Sequence, residues 1–250
     1  TGRLDIFTRL ICDYATEFET VAAGYAGPLF AEISPRTFSV LVRAGSRLSQ
    51  LRLRLGDSNV SDDAMQLLHA NVGLVSGHGG SDIDIRDGIG LTVNLEPDGQ
   101  SGMIGWRARK HAGLVDIDKP ACCPINLFWE QVAPSDLVSG GLVLNPDEFY
   151  ILASREFVTV PQDHAAEMRA YDTRVGEFRA HYAGFFDPGF GMVELGAAPT
   201  RAVLEVRSHD VPFLIEQGQT VCRLVYEPML AVPNVLYGST GSNYQSQGLR

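Results

Sequence analysis

The chain has 250 residues, 45% of them hydrophobic, and sets 30 acidic against 20 basic side chains for a formal net charge of -10. That length and apolar content suffice for one large or two modest cores. The acidic balance excludes a sequence-independent nucleic-acid or anionic-membrane surface, since both need clustered Lys and Arg, and an anionic ligand therefore calls for a local arginine or a bound cation.

In chain order, short β-like segments dominate. "GPLFAEIS" (27–34), "TFSVLVRAG" (37–45) and "LSQLRLRLG" (48–56) come first. Residues 57–87, rich in Gly, Ser and Asp, read as a linker, and Ser61 followed by Asp62, Asp63 and "AMQLLHAN" predicts a short capped helix within it. Further strands are predicted over "IGLTVNLEP" (89–97), "MIGWRAR" (103–109), "INLFWEQV" (125–132), "LVLNPDEFYILAS" (142–154) and "EFVTVP" (156–161). "DHAAEMRAYDTRVG" (163–176) predicts a second brief helix, and "RAVLEVRS" (201–208), "VPFLIEQGQ" (211–219) and "TVCRLVYEPM" (220–229) close the series as strands. With 26 glycines as punctuation, the expectation is an all-β barrel or sandwich. No apolar run approaches the roughly 20 residues of a membrane span and no charged-then-apolar leader is present, so a cytoplasmic protein is expected. The chain opens on Thr1 in what reads as the middle of an element, and is expected to be part of something longer.

Four cysteines, Cys12, Cys122, Cys123 and Cys222, make no disulfide framework in a chain of this length, which suits a reducing compartment. "KPACCPIN" lacks the Pro-Cys-x-x-Cys spacing and the upstream His-x-Glu of zinc deaminases, and none of the six histidines shows ligand spacing. No zinc or other protein-bound metal is expected.

An internal repeat is the most informative feature. "AAGYAGPLFAEIS" leads to "FSVLVRAGSRLSQLRL" early in the chain, and "DPGFG" leads through "RAVLEVRS" to "VPFLIEQGQTVCRLVYE" late in it. Each copy runs turn, aromatic, Gly, Glu-bearing strand, strand, Gly turn, strand. Gly24 precedes Glu32 by eight residues and Gly189 precedes Glu205 by sixteen; the extra eight fit a loop within "MVELGAAPT".

These residues resemble the dCTP deaminase branch of the dUTPase-like superfamily, in particular its long duplicated bacterial form. That family carries Ser-Ser-x-x-Arg-Leu-Gly for phosphate, then Asp-Pro-Gly-Trp at a hairpin, then Leu-Glu on the next strand. "RAYDTRVG" through "EFRAHYAGFFDPGF" aligns without gaps, with Arg174 at the motif Arg and Asp187 at the motif Asp. The resemblance implies tandem dUTPase-like β-clip repeats: residues 1–56 as the later part of a first repeat, 57–87 as the linker, and 88–250 as a second repeat with a substrate-covering tail. It also implies hydrolytic deamination of dCTP to dUTP and ammonia without zinc, Mg carried on the triphosphate, and a homo-oligomer with no nucleic-acid or membrane partner.

The departures are complementary. Copy one places Arg3 at the phosphate Arg and Gln50 at the family's Gly-Gln position, but has Ala22 where the Asp belongs. Copy two keeps Asp187 but has Ala170 and Tyr171 where the serines belong and Arg223 at the Gln position. The superfamily usually builds each site at a subunit interface, so the resemblance implies that Arg3 and Gln50 of copy one face Asp187 and Glu205 of copy two. Glu205, between Leu204 and Val206, is the first candidate for proton shuttle and Glu32, between Ala31 and Ile33, the second; the alternative for each is a solvent-facing strand acid. Arg3 and Arg174 suit phosphate oxygens. In the tail, Tyr237, Tyr244 and Gln247 stand where the family's Tyr...Lys-Tyr-x-x-Gln segment covers substrate, with Asn243 in place of its Lys. Phe190 and Tyr25 are expected to close the two hairpins. Two other readings stay open: dUTP hydrolysis by the same fold, alone or in a bifunctional enzyme, and a non-catalytic nucleotide-binding or structural module.

Overall fold

The computed structural model describes residues 1–77, 83–97, 99, 101–170, 178–180, 184–192, 198–208 and 210–237. Strands dominate. They begin with β1 (Ile6–Cys12), β2 (Leu29–Pro35) and β3 (Ser39–Leu41), followed by the helix α1 (Asp62–Val72) and β4 (Val75–Gly77). Next come β5 (Ile89–Asn94), β6 (Gly105–Ala108), β7 (Leu114–Asp116), the one-turn helix α2 (Ile125–Phe128), β8 (Trp129–Val132), β9 (Gly141–Leu144) and β10 (Phe149–Val158). The series ends with β11 (His164–Ala170), β12 (Phe178–Ala180), β13 (Phe185–Phe186), β14 (Thr200–Ser208), β15 (Phe213–Glu216) and β16 (Thr220–Pro228). The all-β expectation holds. Among the described residues no helix is long and apolar enough to cross a membrane.

The chain divides into two compact units: Thr1–Leu53 with Ala108–Glu130, and Arg54–Arg107 with Gln131–Arg250. The first contains the antiparallel pair β1–β2 and the parallel pair β3–β7. Its apolar centre joins Ile6, Phe38, Val115 and Phe128, and Phe38 meets Phe128 and Trp129 edge-on at 5.7 and 5.2 Å. Segment 108–130 thus packs with the first unit although its flanks belong to the second.

The second unit is a curled sheet in the order β12-β14-β10-β5-β16-β11-β13, with β4 and β6 also pairing on β10. Period-two alternation builds it: Leu91 and Val93 on β5, Leu152 on β10, Leu204 and Val206 on β14, and Leu224 and Tyr226 on β16 all enter one core. Tyr226 is fully buried, and its hydroxyl is satisfied by donation to Thr159 O at 2.8 Å. A register shift between Ala153 and Phe157 bulges β10; there Ser154 Oγ accepts from Ala202 N–H at 2.9 Å and donates to Glu156 O at 2.7 Å.

The helix predicted after Ser61 forms: Ser61 Oγ accepts from Ala64 N–H at 3.3 Å, and Gly73, at φ 70°, terminates it. Its Met65 and the following Leu74 and Val75 lie in the core. Three local expectations change. "DHAAEMRAYDTRVG" begins as strand β11 rather than helix, because Ala165, Ala166 and Met168 are buried in a strand paired with β16 and β13; tertiary pairing overrides the helix-forming composition. "INLFWEQV" opens with the helical turn α2 before β8. "LSQLRLRLG" forms no strand, and its Leu51, Leu53 and Leu55 are exposed.

Candidate active site

In the first unit a single 3-10 turn, Gly2–Leu4, carries the half-buried Arg3. The turn is anchored by Asp5, which is fully buried at φ 55°: its carboxylate accepts from Thr37 Oγ1 at 2.5 Å and its carbonyl from Arg36 N–H at 2.9 Å. Thr1 Oγ1 donates to Leu48 O at 3.2 Å. That bridge ties the start of the chain to the segment holding Gln50, so Arg3 and Gln50 lie two residues beyond its two ends. Gln50 is exposed.

Glu32 sits on β2 opposite Arg9 on β1, with Arg9 Nη1 3.8 Å from Glu32 Oε2 and both side chains nearly half exposed. A pair in that setting contributes little to stability. Tyr25 closes its own turn, donating to Pro28 O at 2.7 Å and accepting from Asp13 N–H at 3.3 Å. Beyond β3, Arg43 grips Asp116 through both terminal nitrogens at 2.7 and 2.8 Å and reaches Asp118 at 3.1 Å. The Arg43 hydrogen bond holds the Asp116 carboxyl well below the usual carboxylate range.

In the second unit the Asp-Pro-Gly hairpin is a built structure. Asp187 O accepts from Phe190 N–H at 3.2 Å, Gly189 N–H donates to Val160 O at 3.0 Å, and Val160 N–H returns to Phe190 O at 2.8 Å. Gly191 has φ 66°, and a Cβ there would collide with Val158 O. Phe190 is buried, its ring edge-on to Phe186 at 5.0 Å and tilted against Tyr237 at 5.3 Å. Tyr237 N–H also donates to Pro188 O at 2.9 Å. Tyr237, the first of the three residues expected to cover substrate, is thus seated on the turn that carries the half-buried Asp187.

Glu205 is half-buried on β14, on the face alternate to the core residues Leu204 and Val206. It lies opposite Ile151 of β10, which in turn pairs with Trp106 of β6. The Asp187 turn is thus bonded to Val160, two residues past the end of β10, whereas Glu205 pairs near the start of that strand.

Arg223, at the Gln position of the second copy, donates to Asp84 Oδ2 at 2.7 Å. Arg86 grips the same carboxylate, and its hydrogen bonds, with those of Arg223, lower the Asp84 pKa to about 2. This position serves a structural ion pair. Arg174, Tyr244 and Gln247 lie outside the described residues. Among those described, no group of three or more His, Cys, Asp or Glu is placed to hold a metal. Two charged clusters were not singled out in the sequence: Arg43 with Asp116 and Asp118, and Arg54 with Glu167 and Glu227, where both pairs close at 2.8 Å. Their partners are 73 to 173 residues distant in the chain, so no local spacing announces them.

The family model for the 2'-deoxycytidine 5'-triphosphate deaminase C-terminal domain matches residues 61–250, and that for the N-terminal domain matches residues 1–57. The chain belongs to the dCTP deaminase family. A crystal structure of 2'-deoxycytidine 5'-triphosphate deaminase from Agrobacterium tumefaciens is 51% identical with a TM-score of 0.84, covering 93% of this chain and 67% of that one. A "dCTP deaminase, dUMP-forming" from Methanobrevibacter smithii is 33% identical over 110 residues, 42% of this chain; the match spans about half of that relative, 53%. A protein of the same description from Beutenbergia cavernae is 31% identical over 181 residues, 67% of this chain and 89% of its own length. The dCTP deaminase match is therefore carried by both units.

Proposed function

We propose that the chain hydrolyses dCTP at C4 to dUTP and ammonia, with Glu205 as the proton shuttle. The observation that carries the reading is the match to both dCTP deaminase domains over a chain that holds the Asp187 hairpin and the Glu205-bearing strand β14. Glu205 accepts a proton from water as its oxygen attacks C4, passes it to N3, and delivers the next to the amino group, which leaves as ammonia when the C4–N bond breaks. A carboxylate positioned within hydrogen-bond reach of the reacting water and base can perform such a relay. Asp187 holds the sugar hydroxyl or positions the water. Arg3 and Arg174 take phosphate oxygens, Gln50 binds beside Arg3, and Tyr237, Tyr244 and Gln247 close over the nucleotide. Glu32, ion-paired with Arg9 and exposed, is the second candidate for the shuttle. Mg enters on the triphosphate, coordinated by phosphate oxygens and waters, which offsets the substrate's charge against a chain of net charge -10. Neighbouring copies in a homo-oligomer supply the two halves of each site, and the expected compartment is the cytoplasm.

The test is to incubate the intact protein with dCTP and Mg and to follow ammonia and nucleotide products. Ammonia with dUTP is expected. Glu205→Gln is expected to lower turnover by about 10²-fold or more while dCTP still binds, and Glu32→Gln to leave it nearly unchanged. Bound dCTP without product would refute the activity, and unimpaired turnover in Glu205→Gln would refute the assignment. Release of dUMP in place of dUTP would align the chain with the two relatives named dUMP-forming.

A further inference from the structure

The loop between β7 and α2 presents two adjacent thiols that the proposed deamination does not use. Cys122 Sγ and Cys123 Sγ stand 3.3 Å apart, Cys122 exposed and Cys123 half-buried, whereas Cys12 and Cys222 are buried. The loop is held at its base. Arg43 grips Asp116 and Asp118, Ser46 Oγ donates to Asp118 at 2.8 Å, and Lys119 N–H donates to Asp116 O at 3.1 Å. Ala121, at φ 55°, turns the chain just before the pair. Cys122 Sγ then lies 3.9 Å from Asp116 O and Cys123 Sγ 4.0 Å from Leu114 O, so both sulfurs are oriented by the same β7 backbone.

The spacing discriminates among uses of a dithiol. A disulfide favours Cα atoms ~4.4–6.8 Å apart, but neighbours across a trans peptide are fixed near 3.8 Å, so direct closure is strained. Two sulfur bonds of ~2.3 Å span about 3.8 Å at a tetrahedral angle and about 3.3 Å at a right angle. A tetrahedral cation also needs further ligands, and among the described residues no third His, Cys, Asp or Glu joins the pair. A small-angle, thiophilic, pyramidal centre fits the observed bite. The hydrogen bond from Cys122, followed by burial, raises the Cys123 pKa, which favours its protonated thiol.

We propose that Cys122 and Cys123 form a chelating site for trivalent arsenicals. In the reaction with a dihydroxyarsine, two As–S bonds form and two As–O bonds break. The two thiol protons leave with the two hydroxides as water, and arsenic remains trivalent throughout.

The probe is phenylarsine oxide, which hydrates to the dihydroxyarsine, added to the full chain. The expected result is one adduct per chain by intact mass, loss of two titratable thiols from the folded protein, resistance to excess monothiol, and release by a dithiol such as 2,3-dimercaptopropanol. Cys122→Ser and Cys123→Ser are each expected to weaken retention by on the order of a hundredfold, because the second bond is then no longer intramolecular. Cys122→Ala, at an exposed position, serves as a second variant, with circular dichroism confirming that each variant folds. Adducts that monothiol strips from the parent chain, or equal retention by Cys122→Ser, would overturn the proposal. Quantitative closure of the pair to a disulfide by glutathione disulfide would overturn the geometric argument behind it.

Discussion

Gly191→Ala tests whether the Asp-Pro-Gly hairpin is held as rigidly as its contacts imply. Gly191 has φ 66°, and its added Cβ would meet Val158 O, a backbone atom of the neighbouring strand that has no rotamer with which to retreat. The left-handed conformation costs an alanine ~1–2 kcal/mol. Relieving the clash requires the hairpin to part from β10, which endangers the Gly189 N–H to Val160 O and Val160 N–H to Phe190 O bonds, each worth ~1 kcal/mol. The sum is about 3–4 kcal/mol. Gly140 is the internal control: it lies in the same unit at φ 86° with nothing within 4 Å of an added Cβ, so Gly140→Ala should cost only the backbone strain. Urea unfolding of the two variants at fixed protein concentration reads the difference. A Gly191→Ala variant within about 0.5 kcal/mol of Gly140→Ala would mean that the hairpin yields freely, and the reasoning would fail.

Tyr237→Ala removes the ring packed on Phe190 and is expected to raise KM for dCTP about 2–10-fold with little change in kcat, an aromatic pair being worth ~0.5–1.5 kcal/mol; Tyr237→Phe should stay near the parent in steady-state kinetics. Asp84 contributes stability that is present above the ordinary carboxylate pKa and is lost as pH falls through its folded value of about 2. Asp84→Asn should therefore narrow the stability gap between about pH 6 and pH 3, by no more than ~1 kcal/mol because the side chain is partly exposed, as followed by chemical unfolding at the two pH values. Ser61→Ala removes the cap of α1 and should cost about 1 kcal/mol by the same measurement without altering KM.

The strand content was legible because the sheet is built on period-two alternation, and "RAVLEVRS" predicts β14 to within a residue. The capped helix was legible for the same kind of local reason. β11 was not, since "HAAEMRA" is composed of good helix formers and only its pairing with β16 and β13 makes it a strand. "LSQLRLRLG" has the opposite history: it alternates from Leu51 to Leu55, yet a strand requires a partner, and these three leucines are exposed. For the candidate site, the Asp187 turn was readable from "DPGFG", whereas nothing in the sequence announced its contact with Tyr237. The role of Arg223 as Asp84's partner was not readable, because 139 residues separate them.

The excursion of residues 108–130 into the first unit changes what the two halves are as heritable modules. Three chain crossings, after Leu53, Arg107 and Glu130, join the units, where a simple tandem duplication needs one. A cut near residue 57 would strand Phe128 and Trp129 on one product and their partner Phe38 on the other. An exchange of residues 1–57 alone would therefore divide the core of the first unit. The first unit is thereby heritable only together with segment 108–130, which lies in the chain between two parts of the second.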